Sequence, residues 1–242
     1  MSGLPNNPQN PSPTRVSASV AFITILGACF AGSVGPIQTA PFLLEATGLT
    51  LYSSGILLRQ RTNQLTGKAL TLLGLIVATS ALVGVIAIPL PFSILLTYFS
   101  CGLGMLLLTM GVFPVYRKFT QCLTLTGVVF VFIGVAANAI IDSPPLWRSV
   151  IAVTMVFLSW DASRRAITLG TQVGNTAETI SVEIVGIAAS SAVAIAAIML
   201  TIAVSQISVH RSSLVGLALA LAATIAFAVA LAHFPQLPEP QE

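Results

Sequence analysis

The sequence predicts an all-α, polytopic transmembrane bundle of about eight helices. Of the 242 residues, 55% are apolar and 7% carry a charge. Soluble domains are about 25% charged, and Lys, Glu, Arg and Asp supply much of their surface. So few charges cannot cover a water-soluble monomer of this size. Because no stretch alternates apolar and polar residues as barrel strands do, helices are the expected spanning elements.

The first predicted spans follow a short polar tail. Residues 1–15 contain four prolines and no apolar periodicity, which predicts a disordered segment. A helix crosses a bilayer in about 20 residues. The apolar region that follows therefore predicts two spans, 16–34 and 39–58, joined by a turn at Gly35–Pro36.

Prolines and charges delimit the remaining spans. Residues 69–116 carry no charge and are too long for one crossing, and Pro89 and Pro91 divide them. The sixth span is weak because only residues 149–160 lack charge. Residues 235–242 form a C-terminal tail. The predicted spans after the second are 69–88, 92–113, 119–141, 149–160, 184–210 and 212–238.

Basic residues predict the orientation. With eight spans and the N-terminus in the cytoplasm, eight Lys and Arg fall on the cytoplasmic side and two on the other. This distribution follows the positive-inside rule of a multi-pass protein in the cell membrane. Two seven-span arrangements are also possible, if the sixth segment does not cross or if the first two spans merge. The eight residues are Arg15, Arg59, Arg61, Lys68, Arg117, Lys118, Arg164 and Arg165.

Glu45 is the one charged residue placed inside a predicted span. A carboxylate at membrane depth is costly, so it is a candidate coupling group for a proton or cation. The alternative is an unspecialised residue near the outer interface. If the second helix begins at Pro41, Glu45 lies in its first turns, which favour an acidic side chain.

Residues 161–183 predict a polar cytoplasmic hairpin. In this interpretation the sixth helix reaches about residue 169, Gly170 ends it, and Asn175 caps the next helix. The hairpin is either a docking or coupling element or an amphipathic connection whose arginines face lipid headgroups. Its candidate functional residues are Asp161, Arg164, Arg165, Gln172 and Glu183.

The same segment carries a recognisable motif, W-D-x(7)-L-G-x-Q-x-G-x-x-A-x-T-x-x-x-E. It resembles the signature of an uncharacterised family of haloarchaeal multi-pass membrane proteins. The resemblance implies a role in a membrane complex and no particular activity. The motif residues are Trp160, Asp161, Leu169, Gly170, Gln172, Gly174, Ala177, Thr179 and Glu183.

Enzymatic and nucleic-acid-binding functions are not expected. His210 and His233 both fall at span ends, so no catalytic dyad or zinc site can form in the core. There is no phosphate-binding glycine loop and no basic stripe, and no cofactor is predicted.

The sequence therefore leaves two functional hypotheses. The preferred one is a non-enzymatic component of a membrane complex or a homo-oligomer, whose partners are the lipid bilayer and other membrane proteins. The alternative is a secondary transporter or channel for a small solute that uses Glu45, with Asn138 and Ser80 as further polar positions. Internal symmetry would favour the alternative, and none is visible in the sequence.

Overall fold

The computed structural model describes residues 13–33, 36–61, 64–87, 91–114, 119–141, 143–172 and 180–206. Within these ranges the chain forms seven α-helices and one 3-10 turn, Val85–Ala87, and no strand. This confirms the predicted helical bundle. The helices are α1 Arg15–Gly32, α2 Pro36–Arg61, α3 Gln64–Gly84, α4 Phe92–Val112, α5 Thr120–Ile141, α6 Leu146–Gln172 and α7 Ile180–Gln206.

Six of these helices, all but α6, are long and apolar enough to cross a membrane. Helix α6 is not among the six because its charged residues make it too polar. This agrees with the prediction that the sixth span is weak. It nevertheless packs antiparallel along α1. The backbone N–H of Thr14 donates to the carbonyl of Ala166 at 3.0 Å, and the Ser159 hydroxyl donates to the carbonyl of Ala21 at 2.8 Å.

Several predicted helix boundaries differ from the structure, and the third helix begins at Gln64 and not at residue 69. The second helix begins at Pro36, a favoured first position for proline, and continues through Pro41. Glu45 therefore lies in the third turn of α2, not in the first turns predicted from a start at Pro41. Gly170 does not end the sixth helix, which continues to Gln172. The seventh helix begins at Ile180, before the predicted residue 184.

Other predictions fall partly or wholly outside the described residues. Helices α1 and α2 are separate, so the alternative that merges the first two spans is wrong. Residues 1–12 of the predicted tail, Asn175, the eighth span at 212–238 and the C-terminal tail lie outside the described part of the chain. Contacts divide the chain into units Met1–Thr201 and Ile202–Glu242, and residues 202–206, the end of α7, are all that the structure describes of the second.

Helices α2 and α3 form a hairpin whose backbones touch. A methyl group at Gly48 would lie 2.5 Å from the backbone nitrogen of Ala78. One at Gly74 would lie 2.4 Å from the backbone nitrogen of Tyr52. In lipid, helices associate through close packing and not through water exclusion, so small residues at these contacts are what brings the two helices together.

Helices α4 and α5 repeat the same contacts. A methyl group at Gly104 would lie 2.7 Å from the backbone nitrogen of Val131, and one at Gly127 would lie 2.5 Å from that of Leu108. Positions in α4 follow their counterparts in α2 by 56 residues (48 and 104, 52 and 108), and those in α5 follow α3 by 53 (74 and 127, 78 and 131). The hairpins α2–α3 and α4–α5 are therefore internal repeats.

The repeat extends over a second contact with the same offsets. Gly55 approaches Thr71 in the first hairpin, and Gly111 approaches Thr124 in the second. Each threonine hydroxyl donates to the carbonyl four residues earlier, at 2.7 Å and 2.8 Å. The two hairpins therefore share their spacing, their close approaches and their side-chain hydrogen bonds.

Side chains from distant helices cap both ends of α1. Its N-cap residue, Thr14, makes no side-chain cap bond. The carboxylate of Glu183 on α7 accepts instead from the backbone N–H of Ser17 at 2.8 Å and from its hydroxyl at 2.7 Å. At the other end, the side-chain amide of Asn138 on α5 donates to the carbonyl of Gly32. Both bonds satisfy backbone groups that a helix end leaves unpaired.

Candidate functional site

Buried polar atoms without hydrogen-bond partners gather where α1, α2, α4 and α5 meet. Among the described residues, five buried side-chain oxygens lack a partner. Four of them are in this region: both carboxyl oxygens of Glu45, Oγ1 of Thr97 and Oδ1 of Asn138. Glu45 is 0% exposed and Asn138 is 1% exposed. Since buried polar groups are normally paired, such a cluster indicates a site that binds something.

The carboxyl group of Glu45 packs against α4 at a glycine, so no side chain of α4 lies between the carboxyl and the helix backbone. A methyl group at Gly102 of α4 would lie 2.6 Å from Oε2. Leu82 of α3 packs at the same place, and the thiol of Cys29 on α1 lies near the carboxyl. The hydroxyl of Tyr98 lies beside the carboxyl but donates to the carbonyl of Ala81 at 3.4 Å. The carboxyl therefore sits in a tight and largely apolar environment.

A small cavity adjoins this carboxyl. Its volume is about 10 Å³, which is roughly the space that the centre of one water molecule needs. Tyr98 and Cys29 line the cavity and also lie near Glu45, which is not itself a lining residue. The lining residues are Cys29, Gly32, Ser33, Phe42, Ile94, Thr97, Tyr98, Cys101, Val135 and Asn138.

The site lies at the junction of the two repeats. Phe42 and Tyr98 are repeat counterparts, 56 residues apart, and their ring centroids are 4.7 Å apart. Glu45 and Cys101 are also repeat counterparts, 56 residues apart in the sequence. Counterpart residues of two similar units touch each other only close to the axis that relates the units. Glu45 therefore belongs to the interface at which α2 of one repeat meets α4 of the other.

A metal site is not formed here by the described residues. No group of three or more His, Cys, Asp or Glu among them has a geometry that could hold a metal ion. The thiols of Cys29 and Cys101 are neighbours, and Glu45 is close to Cys29, but the three do not make such a group.

The polar residues of the predicted cytoplasmic hairpin connect α6 to α7. Arg165 Nε lies 2.8 Å from Oδ2 of Asp161, one helical turn earlier. The hydroxyl of Ser190 on α7 accepts from Arg165 Nη2 at 3.0 Å and donates to Asp161 Oδ2 at 2.6 Å. Both charged side chains are more than a third exposed, so the ion pair itself adds little stability. Through this ion pair and the hydrogen bond to Ser190, the guanidinium of Arg165 is held within the chain.

The other three hairpin candidates are separated in the structure. Arg164 is exposed, and its guanidinium lies 5.2 Å from the ring centroid of Trp160. Gln172 is the last residue of α6, and its side chain is outside the described part of the structure. Glu183 is buried at the start of α1, as described above. The structure therefore does not bring the candidates of residues 161–183 together into one site, and Glu45 is distant from them in the fold.

Sequence reasoning identified Glu45 and named Asn138, but it missed Thr97, Tyr98 and the thiol pair. Single polar residues in apolar spans carry no signal of which others they meet. The internal repeat had a detectable signal: Gly48 and Gly55 in α2 have the same spacing as Gly104 and Gly111 in α4. Aligning those glycine pairs would have placed Glu45 opposite Cys101.

A family model matches residues 78–228, which is more than half of the chain. The chain belongs to DUF7519, a family of unknown function. The DUF7519 region includes the motif at 160–183, so the predicted resemblance to an uncharacterised family is confirmed to that extent. It begins after Glu45 and includes Thr97, Tyr98, Cys101 and Asn138. No curated protein and no solved structure matches the chain.

Proposed function

We propose that this protein is a transporter or channel for a small solute, specifically a small cation, and that Glu45 binds the cation. Six apolar helices and membership of an uncharacterised family fit an integral membrane protein of unknown function. The observation that carries the proposal is the complete burial of Glu45, whose carboxyl oxygens make no hydrogen bond of normal geometry and have only the Tyr98 hydroxyl as a polar neighbour able to reach them. A carboxyl with a purely structural role at this depth would be hydrogen-bonded or ion-paired.

The position of the carboxyl supports the same proposal. Transporters built from internal repeats bind substrates and coupling ions near the middle of the membrane, at the interface of the repeats. Glu45 lies in the third turn of α2, at the contact between α2 and α4. A charged residue is costly there and is therefore a functional candidate by default.

The test is ion flux into vesicles that contain the purified full-length chain. We expect wild-type vesicles to respond to an imposed proton or sodium gradient faster than protein-free vesicles. The Glu45→Gln variant keeps the shape of the side chain but cannot bind a cation by charge, and its flux should fall at least tenfold. Fluorescent dyes that report internal pH and internal sodium measure both ions.

The matched control is Thr79→Ala, on the exposed side of α3. Its hydroxyl bonds to the carbonyls of Leu75 and Ile76, and it is remote from the cavity residues. Its flux should equal that of the wild type. Equal flux in wild type, Glu45→Gln and empty vesicles would refute the proposal.

A second candidate function is a component of a membrane complex or a homo-oligomer. Helix α7 supports it, since a stripe of small residues, Ala188, Ala192 and Ala196, is exposed along the helix at spacings of four. In bilayers such stripes are typical of helix–helix contacts. We propose with it that the protein is not an enzyme and resides in the cell membrane.

The oligomer hypothesis predicts a protein larger than a monomer in mild detergent. Light scattering coupled to size exclusion gives the protein mass. Changing Ala192 to Leu should shift the mass towards the 25.1 kDa of one chain, because a bulky side chain prevents close packing of the helices. Exposed Leu72→Ala on α3 is the control, and a monomeric wild type without partners would rule out this second function.

A further inference from the structure

We infer that the cation bound by Glu45 is a proton, which reaches it through the one-water cavity from a single end of the bundle. This end is the one at which α1 ends and α2 begins, here called the α1–α2 end. The inference depends on the transport function proposed above and names its substrate. It follows from the size of the cavity, the chemistry of its lining and the side on which it lies.

The size of the cavity excludes larger solutes. A volume of about 10 Å³ holds one water molecule at most. A sugar, an amino acid or a sodium ion with its water shell cannot enter without rearrangement of the helices. A proton carried by one water molecule fits the space as it stands.

The side chains between the cavity and the carboxyl are suited to protons. The Tyr98 hydroxyl and the Cys29 and Cys101 thiols can each donate and accept a hydrogen bond. Thiols are poor ligands for hard cations such as sodium, which favour carboxylate, carbonyl and water oxygens. The two other unpartnered oxygens, on Thr97 and Asn138, are available to hold the water.

The groups that face Glu45 bring no fixed charge. Helix α1 contributes Cys29, α4 contributes Tyr98 and Gly102, and α3 contributes the apolar Leu82. Among the described residues, no Lys, Arg or Asp is buried at this site. A neutral carboxylic acid therefore suits the site better than a carboxylate, and an incoming proton produces it without a second ion.

The cavity lies on one side of the carboxyl only. Its residues Ser33, Ile94 and Asn138 are close to the last turn of α1, the first of α4 and the last of α5, which all lie at the α1–α2 end. On the opposite side, three fully buried apolar residues fill the space between the repeats. These are Leu49, Met105 and Leu108.

A hydrogen bond between the repeats closes the opposite side. The hydroxyl of Tyr52 on α2 donates to the carbonyl of Phe113, just after α4, at 3.0 Å. A hydronium ion in the cavity transfers one proton to the carboxylate and leaves a water molecule and the neutral acid. Release to the other side returns that proton to water and requires the two repeats to separate at Leu49 and Leu108.

The experiment compares proton and sodium gradients on the full-length protein in vesicles, with valinomycin and potassium to balance charge. We expect the pH dye to respond to a proton gradient in wild type and in Glu45→Asp, and at least tenfold more slowly in Glu45→Gln. A sodium gradient at constant pH should produce no sodium entry above empty vesicles. Thr97→Val, which removes only the cavity hydroxyl, should slow proton entry several-fold, and Thr79→Ala should not.

A second measurement tests proton binding without transport. Infrared difference spectra of the detergent-solubilised protein should show carboxylic acid carbonyl stretches appearing on acidification, and the component from Glu45 should be missing in Glu45→Gln, which keeps the bands of the other Asp and Glu residues. Glu45-dependent sodium entry without proton entry would overturn the inference and leave the transport function intact. Absence of flux for both ions would refute the transport function, and absence of the Glu45 component from the infrared spectra would refute proton binding.

Discussion

The Gly127→Ala variant is expected to be destabilised by about 1–3 kcal/mol, the usual range for forcing extra volume into a packed contact. The new methyl group would lie 2.5 Å from the backbone nitrogen of Leu108 and 2.7 Å from the carbonyl oxygen of Gly104. Backbone atoms cannot rotate away as a long side chain can, so α4 and α5 must move apart. That movement loses close packing along the whole hairpin.

Its matched control is the same substitution at Gly84 in α3, where a methyl group would meet nothing within 4 Å. Alanine there should be neutral or stabilising by up to about 1 kcal/mol, because it favours the helix. Unfolding in detergent, followed by circular dichroism at increasing temperature, measures both. A shift of roughly 2–4 °C per kcal/mol is expected for a chain of this size.

The internal repeat predicts an equal loss of stability at the equivalent glycine of the other hairpin. Gly74 is the counterpart of Gly127, and its methyl group would lie 2.4 Å from the backbone nitrogen of Tyr52. Gly74→Ala should therefore lower the melting temperature by about as much as Gly127→Ala. If one of the two variants melts like the wild type, the hairpins are not equivalent in their packing.

The Glu183→Ala variant is expected to be destabilised by about 3 kcal/mol, because hydrogen bonds to charged groups contribute about 1.5–3 kcal/mol each and an unpaired buried N–H is costly. The substitution removes both bonds to Ser17, at 2.8 Å and 2.7 Å. It also leaves the N-terminal turn of α1 without its acceptor, since Thr14 makes no side-chain cap bond. Hydrogen exchange of the first turn of α1 should accelerate.

A double-mutant cycle isolates this contact. Ser17→Ala removes the hydroxyl bond and leaves the backbone bond, so it should cost less than Glu183→Ala, about 1 kcal/mol. In the absence of Glu183, Ser17→Ala should have almost no further effect. Additive losses in the double variant would show that the two residues are not coupled and that Glu183 stabilises the protein in another way.

Much of the fold was predictable because lipid imposes simple rules on a sequence. Backbone polar groups must be satisfied within each spanning segment, so long uncharged stretches become helices and prolines separate them. The helix boundaries follow the predicted spans to within a few residues for α1, α4 and α5. Larger differences occur at the starts of α3 and α7, at Gln64 and Ile180, and the chain stays helical at Pro41 and Gly170, where local preference would end a helix.

The candidate site was only partly predictable. An isolated charge in an apolar span identifies Glu45 by its energetic cost alone. Its neighbours could not be found in this way, because Thr97, Tyr98 and the two thiols resemble ordinary packing residues. Glu183 shows the opposite case: it was predicted to belong to a hairpin that either docks a partner or lies at the lipid headgroups, and the structure uses it to cap α1.

The sequence by itself determined that lipid surrounds most of this chain, where most of its helices lie and which carboxyl is expensive to bury. These are local properties, since each depends on a single segment and the lipid around it. Only the tertiary structure decided that two glycine-containing hairpins are repeats, that Glu45 lies at their junction and that a cavity of one-water size lies among its neighbours. Those properties depend on contacts between residues of different helices, which lie 13 or more positions apart in the chain and meet only when the helices pack side by side.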